Sequence, residues 1–162
     1  MSFTINTNLL SLSPVTVPFI DTYLAGKQRG QLAGIGAACV VAQAMHGVNA
    51  TYLVAHAALE TGWGTSRIAR EKNNLFGWSA FDKSPYGSAK GFPTREHCIL
   101  FVAERIRTLY LEPSGRYFRK APCLGFRGKN GYGMNMNYAT DQNWGKKIAR
   151  IANTMELAFN RL

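Results

Sequence analysis

The chain has 162 residues, 46% hydrophobic and 17% charged, which suits one globular domain with a single core and excludes a disordered chain. Nineteen Lys and Arg against nine Asp and Glu give a net charge of +10, so a polyanionic partner is expected: nucleic acid, an anionic membrane surface or another acidic polymer. No apolar run reaches the roughly 18–20 residues that span a bilayer, because Gly34, Gly36 and Gln43 break the most apolar stretch, Leu32 to Met45.

In chain order, residues 1–16 read as a partly extended arm, and 17–162 as the domain proper. A short helix is predicted from Val17 to Leu24, stopped by Ala25-Gly26. A second covers Gln31 to Met45, with Gly47 at its C-terminal cap position. Asn49 can cap a third helix from Ala50 to about Thr61, and Ser66 to Arg70 forms one further turn. Asn73 to Pro93 is rich in Gly, Pro and Ser with aromatics between, the pattern of a loop or irregular hairpin. Thr94 can cap a helix running to about Leu111, whose apolar Ile99, Val102, Ile106 and Leu109 recur at steps of three and four. Residues 112–139 are again irregular. Thr140 or Asp141 can cap the last helix, on which Trp144, Ile148, Ile151, Met155 and Phe159 form an apolar stripe. The expected fold is mainly α, with two irregular segments or hairpins shaping a cleft held by rigid helices.

Cys39, Cys98 and Cys123 are odd in number and lack metal-ligand spacing, so they are expected to be structural thiols. No His/Cys cluster and no Gly-rich phosphate loop is present, so neither metal nor cofactor is expected. The N-terminus, "MSFTINTNLLSLSPVTVPF", has neither the basic region nor the continuous apolar run of a secretory signal.

Chemistry concentrates at Glu60. The helix before it, "TYLVAHAAL", is apolar on nearly every face, so a carboxylate closes an otherwise buried element. Burial and the negative end of the helix both disfavour the anion, so a raised pKa is expected. Trp63 can supply an apolar wall, and Gly62 and Gly64 permit the sharp exit of the chain. A carboxyl kept protonated near neutrality is what a general acid needs to protonate a departing sugar oxygen. The plainer alternative is that Glu60 pairs with a nearby cation, Arg67 or His56.

The stretch "AHAALETGWGTSRIAREKNNLFGW" resembles the signature of glycoside hydrolase family 73, bacterial β-N-acetylglucosaminidases found as cell-wall autolysins and phage lysins, which implies a mainly α fold of the α+β lysozyme-like kind. "SAFDKSPYGSAKGF" and "NYATDQNWGKKIARI" look like the same family's later segments, and the likeness spans roughly Leu24 to Met155. The resemblance implies that Glu60 is the general acid and that Tyr138 assists catalysis or holds substrate. Many family members carry a second glutamate on a hairpin. Only fifteen residues separate Trp78 from Thr94 here, and none of them is an evident counterpart. Asp82 is the nearest acid in that loop, though it better suits an Asx turn before Lys83-Ser84-Pro85. A 2-acetamido sugar can instead use its own carbonyl oxygen as the nucleophile.

Trp63, Phe76, Trp78, Phe81, Tyr86 and Tyr138 offer faces on which sugar rings can pack, and Asn73 and Asn74 offer hydrogen bonds to acetamido groups. Phe76 and Leu75 equally suit core plugs. The expected partner is the anionic glycan of peptidoglycan, bound by a monomer without membrane insertion. The expected place of action is the bacterial cell wall, reached by phage-encoded release or from a virion, or by a secreted autolysin. A muramidase or lytic transglycosylase of the same fold is the alternative enzyme. A nucleic-acid-binding or inactive wall-binding module is the alternative of another class; no nucleic-acid-binding motif is present.

Overall fold

The computed structural model describes residues 2–27, 30–79 and 85–162. Asp82, Phe81 and Lys83 therefore lie outside the described residues. The helices are α1 (Val17–Lys27), α2 (Gly36–His46), α3 (Ala50–Thr61), α4 (Arg67–Lys72), α5 (Pro85–Ser88), α6 (Arg95–Ile106), α7 (Asn135–Tyr138) and α8 (Trp144–Phe159). A 3-10 turn at Gly30–Leu32 precedes α2, and α6 runs on into a π turn, Arg107–Leu111. An isolated antiparallel bridge joins Phe126 and Tyr132, and there is no β-sheet among the described residues. The fold is all-α and lysozyme-like.

Asn49 and Gly62 fix the ends of the element on which the rest is built. The Asn49 side chain accepts from the Tyr52 amide at 2.9 Å, and Gly62 takes the left-handed φ of 55° that closes α3. Residues Ala50 to Ala58 are all buried, so α3 is the central rod, packed along α8 and against α2. Its alanines let these helices approach closely, while Leu53 and Val54 fill the space between them. Burying a leucine such as Leu53 contributes about 1.5–3 kcal/mol.

The α2 start departs from the expected Gln31. Gly34 takes φ 76°, breaking the run, and the Asp21 carboxylate on α1 accepts from the Gly36 amide at 2.8 Å. The cap therefore comes from a neighbouring helix, which local spacing does not reveal. The N-terminus of α8 needs a similar correction. Asn143, not Thr140 or Asp141, occupies the cap position, and its side chain makes no capping bond. Asp141 instead accepts from the Asn143 amide at 2.9 Å and from Lys147 at 2.6 Å. Thr94 caps α6 as expected, accepting from the His97 amide at 3.1 Å.

The N-terminal arm is folded onto the core. Phe3, Leu9 and Val15 are buried within it, Leu9 donates to Pro122 O, and Asn49 donates to Leu9 O. Cys39, Cys98 and Cys123 are free and buried, and burial pushes the Cys98 thiol up to about 12. Such thiols remain protonated and unreactive at neutral pH. No helix is long and apolar enough to cross a membrane, and no cluster of potential metal ligands occurs among the described residues.

Candidate active site

Glu60 sits in the last turn of α3, where the chain must leave the buried rod. Thr61 donates to Ala57 O at 2.7 Å and accepts from the Gly64 amide at 2.7 Å, so its hydroxyl ties the helix end to the turn. Trp63 takes φ 61° in that turn and packs half-buried against the core. It does not reach the recess into which Glu60 points. The apolar wall expected of Trp63 comes instead from Trp144, at the start of α8.

Trp144 Nε1 donates to Glu60 Oε1 at 2.8 Å. On the same oxygen, His56 Nε2 stands at 3.4 Å, one helical turn earlier on α3. The other oxygen, Oε2, faces Gly77; a Cβ on that residue would stand 3.5 Å from it. Gly77 also has φ 63°, so a side chain there would be strained, although its Cβ would meet the carboxylate only at ordinary contact distance. One oxygen is thus anchored and the other presented.

The electrostatics correct the expected direction of the pKa. Burial, the largest single influence, pushes the Glu60 carboxyl upward, but the nearby His56 imidazole and the Trp144 N–H donor together outweigh it and bring it below its ordinary 4.5. Glu60 is therefore an anion at neutral pH in the unliganded protein. The pairing with His56 weighed against the acid role does exist, while Arg67 turns away to Glu71 at 3.2 Å.

Tyr138, on α7, is the second expected residue brought to this place. Its ring stacks on Trp144 at 4.9 Å and 19°, and meets His56 edge-on at 4.9 Å. Burial, with the nearby Tyr52, Glu60 and Tyr110, holds its phenol well above the ordinary value of 10. Its hydroxyl stays protonated and can donate a hydrogen bond at any working pH.

Glu60, Phe76, Gly77, Tyr138, Asp141, Trp144 and Lys147 line a recess of about 400 Å³. A second recess of about 440 Å³ adjoins it across Gly77 and Tyr138, walled by Trp78, Leu109, Tyr110, Tyr117 and Asn137. Both volumes fall in the range of ligand sites. Trp78 and Tyr138 thus form aromatic walls of one continuous groove.

The paired asparagines are used differently from expectation. Asn74 is buried; its amide donates to Trp78 O and Lys90 O, and its carbonyl accepts from the Phe76 and Trp78 amides. Asn73 closes α4 at φ 52° and donates to Phe92 O and Pro93 O. Both staple the 73–93 segment, and Asn74 has no hydrogen-bonding capacity left for a sugar. Phe76 is 1% exposed, a core plug whose edge reaches the recess. Tyr86 lies away from both recesses, donating to Glu71 at 2.6 Å under the Arg67 guanidinium, 3.8 Å from its ring centre.

Sequence reasoning missed Trp144 as a partner of Glu60, because its place on the α8 stripe marks it only as core. It also missed the aromatic walls Tyr110 and Tyr117, and the acid–base pair Asp141–Lys147 at the rim. Asp141 is held below its ordinary value by Lys147 and the Asn143 amide. The "YATDQNWGKK" motif was the available signal, since it carries Tyr138, Asp141, Trp144 and Lys147 into one wall.

An all-α, lysozyme-like body with one partly buried glutamate at the end of its central helix, opening onto an aromatic groove, defines a glycosidase-type scaffold. The glucosaminidase family, described as mannosyl-glycoprotein endo-beta-N-acetylglucosaminidase, matches residues 36–157, and the chain belongs to it. A Streptococcus pneumoniae protein named as a candidate endo-beta-N-acetylglucosaminidase is 42% identical over 116 residues, 72% of this chain and 16% of that protein. A Staphylococcus aureus bifunctional autolysin is 30% identical over 158 residues, 85% of this chain and 12% of its own length. The chain thus spans under a fifth of these relatives. The crystal structure of S. aureus Autolysin E bound to the muropeptide NAM-L-Ala-D-iGlu superposes with TM-score 0.76 at 28% identity, over 98% of this chain and 74% of that one. A catalytic mutant of Autolysin E bound to the disaccharide NAG-NAM gives the same TM-score at 26% identity, covering 99% and 74%.

Proposed function

We propose that the protein hydrolyses the glycan strand of bacterial peptidoglycan as an endo-β-N-acetylglucosaminidase acting at the cell wall, with Glu60 as general acid. The observation that carries this is the setting of Glu60: Oε1 bonded by Trp144 with His56 3.4 Å away, Oε2 beside Gly77, and the residue lining the recess. A proton delivered from Oε2 to the glycosidic oxygen lets that bond break. Family membership and the muropeptide and disaccharide complexes of Autolysin E support the substrate class.

Asp141 is the other acid of the recess, and its ion pair with Lys147 fixes it as an anion rather than a free base. The 2-acetamido oxygen of the substrate then serves as the internal nucleophile, with Tyr138 donating a hydrogen bond that orients it. Water opens the resulting intermediate and returns a proton to Glu60, with retention at the anomeric carbon. Asp82, outside the described residues, is the alternative base named from the sequence, and inversion of product stereochemistry would favour it. Trp78 and Tyr138 provide faces for successive rings, and the net charge of +10 draws the enzyme to an anionic wall.

The test is mass spectrometry of digested sacculi. Fragments ending in reducing N-acetylglucosamine support the assignment. Fragments ending in reducing or anhydro-muramic acid overturn it in favour of a muramidase or lytic transglycosylase.

A further inference from the structure

Glu60 must hold a proton when it acts as a general acid, and His56 stands beside its carboxylate, one helical turn earlier on α3. His56 is fully buried, and its Nε2 stands 3.4 Å from Glu60 Oε1 without a well-formed hydrogen bond to any of the described residues. Leaving such an atom unpaired is costly unless it has work to do. Its other nitrogen, Nδ1, lies 2.9 Å from the Tyr52 hydroxyl. Burial, with the Glu60 carboxylate and the Tyr110 phenol nearby, holds that phenol well above its ordinary value, so it stays a hydroxyl. A hydroxyl accepts from Nδ1 of an imidazolium and donates to Nδ1 of a neutral ring, so the ring can change charge without losing this bond.

We propose that His56 is a positioning residue that sets the protonation of Glu60: the two share one buried proton, carried by the imidazole at rest and by Glu60 when glycan fills the recess. The inference rests on Glu60 being the acid. An Nε2–H bond breaks, its electron pair remaining on nitrogen, and an O–H bond forms on the carboxylate, so two opposite charges become none. Glycan that displaces water from the recess weakens the solvation of both charges and favours the neutral pair. Glu60 then gives the proton to the departing oxygen. The water consumed in hydrolysis restores it, and the pair relaxes to its resting form.

The other titratable groups facing the pair are few. Tyr52 and Tyr138 meet the His56 ring, Tyr110 and Cys98 lie behind Tyr138, and Asp141 and Lys147 stand across the recess, neutralising each other. Each of these tyrosines and Cys98 is shifted upward, away from neutrality.

The experiment is the pH dependence of kcat/KM on purified sacculi for wild type, His56→Gln and Glu60→Gln, with a 13C titration of the Glu60 carboxyl in the first two. Glutamine removes the exchangeable charge while keeping a polar side chain. The alkaline limb of His56→Gln is expected to move to lower pH by about one unit or more, with KM kept and with acid-side activity at least equal to wild type. Its Glu60 carboxyl is expected to titrate at higher pH than in wild type. Should His56→Gln fail to fold, Tyr52→Phe is the second variant. It strands the imidazolium Nδ1–H and moves the alkaline limb in the same direction by less. A loss of activity by one factor at every pH, with the profile unmoved, overturns the proposal and leaves His56 as packing. An active Glu60→Gln enzyme would instead sink the acid assignment itself. An inactive one with an unmoved His56→Gln profile sinks this inference alone.

Discussion

The floor and the rim of the groove each hold one carboxylate below its ordinary pKa, and they do so by different physics. At the floor, Glu60 is pulled down against a large burial penalty by a histidine and an indole N–H. At the rim, Asp141 is exposed and is held by a lysine and a backbone amide. A lysine keeps its proton throughout the working range, so the rim charge is fixed. A histidine can give its proton up, so the floor charge can be switched. The same direction of shift therefore marks a reagent in one place and a structural pair in the other.

The largest expected effect lies at the floor. Glu60→Gln should lower kcat by about a thousandfold, the scale of a lost general acid, with the circular dichroism spectrum unchanged. Activity of wild-type magnitude would erase the distinction drawn between floor and rim.

Next comes the staple that holds the groove wall. Asn74→Ala removes the partners of two backbone carbonyls and two amides in the 73–93 segment and should cost about 3 kcal/mol in urea unfolding. A cost near zero would mean that the segment does not depend on Asn74.

Trp144→Phe keeps an aromatic ring against Tyr138 but removes the donor to Oε1 and part of a buried ring, so a stability loss of at least about 2 kcal/mol is expected. The Glu60 carboxyl should then titrate at higher pH, because one of the groups lowering it has gone.

The pH dependence of stability sharpens the comparison further. Glu60 has a folded pKa below its unfolded 4.5, so its contribution is complete above that pH and is lost as pH falls through the folded value. The stability gap between wild type and Glu60→Gln should therefore narrow below pH 4.5, and a gap that widens there would contradict the assigned sign. The smallest effect belongs to the rim. Asp141→Asn should leave the melting temperature nearly unchanged at high salt, because its ion pair with Lys147 is exposed and screened.

Much of this scaffold was legible in residue order. Asn49 and Thr94 announced their helices because a capping side chain reaches only three residues along the chain. Gly47 and Gly62 marked helix ends because few other residues adopt a left-handed φ readily. Asn74 showed the opposite limit. Its type suggested a sugar ligand, and only the positions of Trp78 and Lys90 showed its polar atoms already spent. Tyr86 was equally misplaced by type, since its partners Glu71 and Arg67 lie on another helix.

By itself the sequence determined that a carboxylate would end a buried, alanine-rich helix, because caps, periodicity and turn residues act over a few positions; that Tyr138 belongs beside it was implied only by the family resemblance of the closing motif. Tertiary structure alone decided the charge on that carboxylate. A pKa is the balance of burial, which hydrophobic patterning foretells, against particular donors, and one of these, Trp144, lies 84 positions away along the chain.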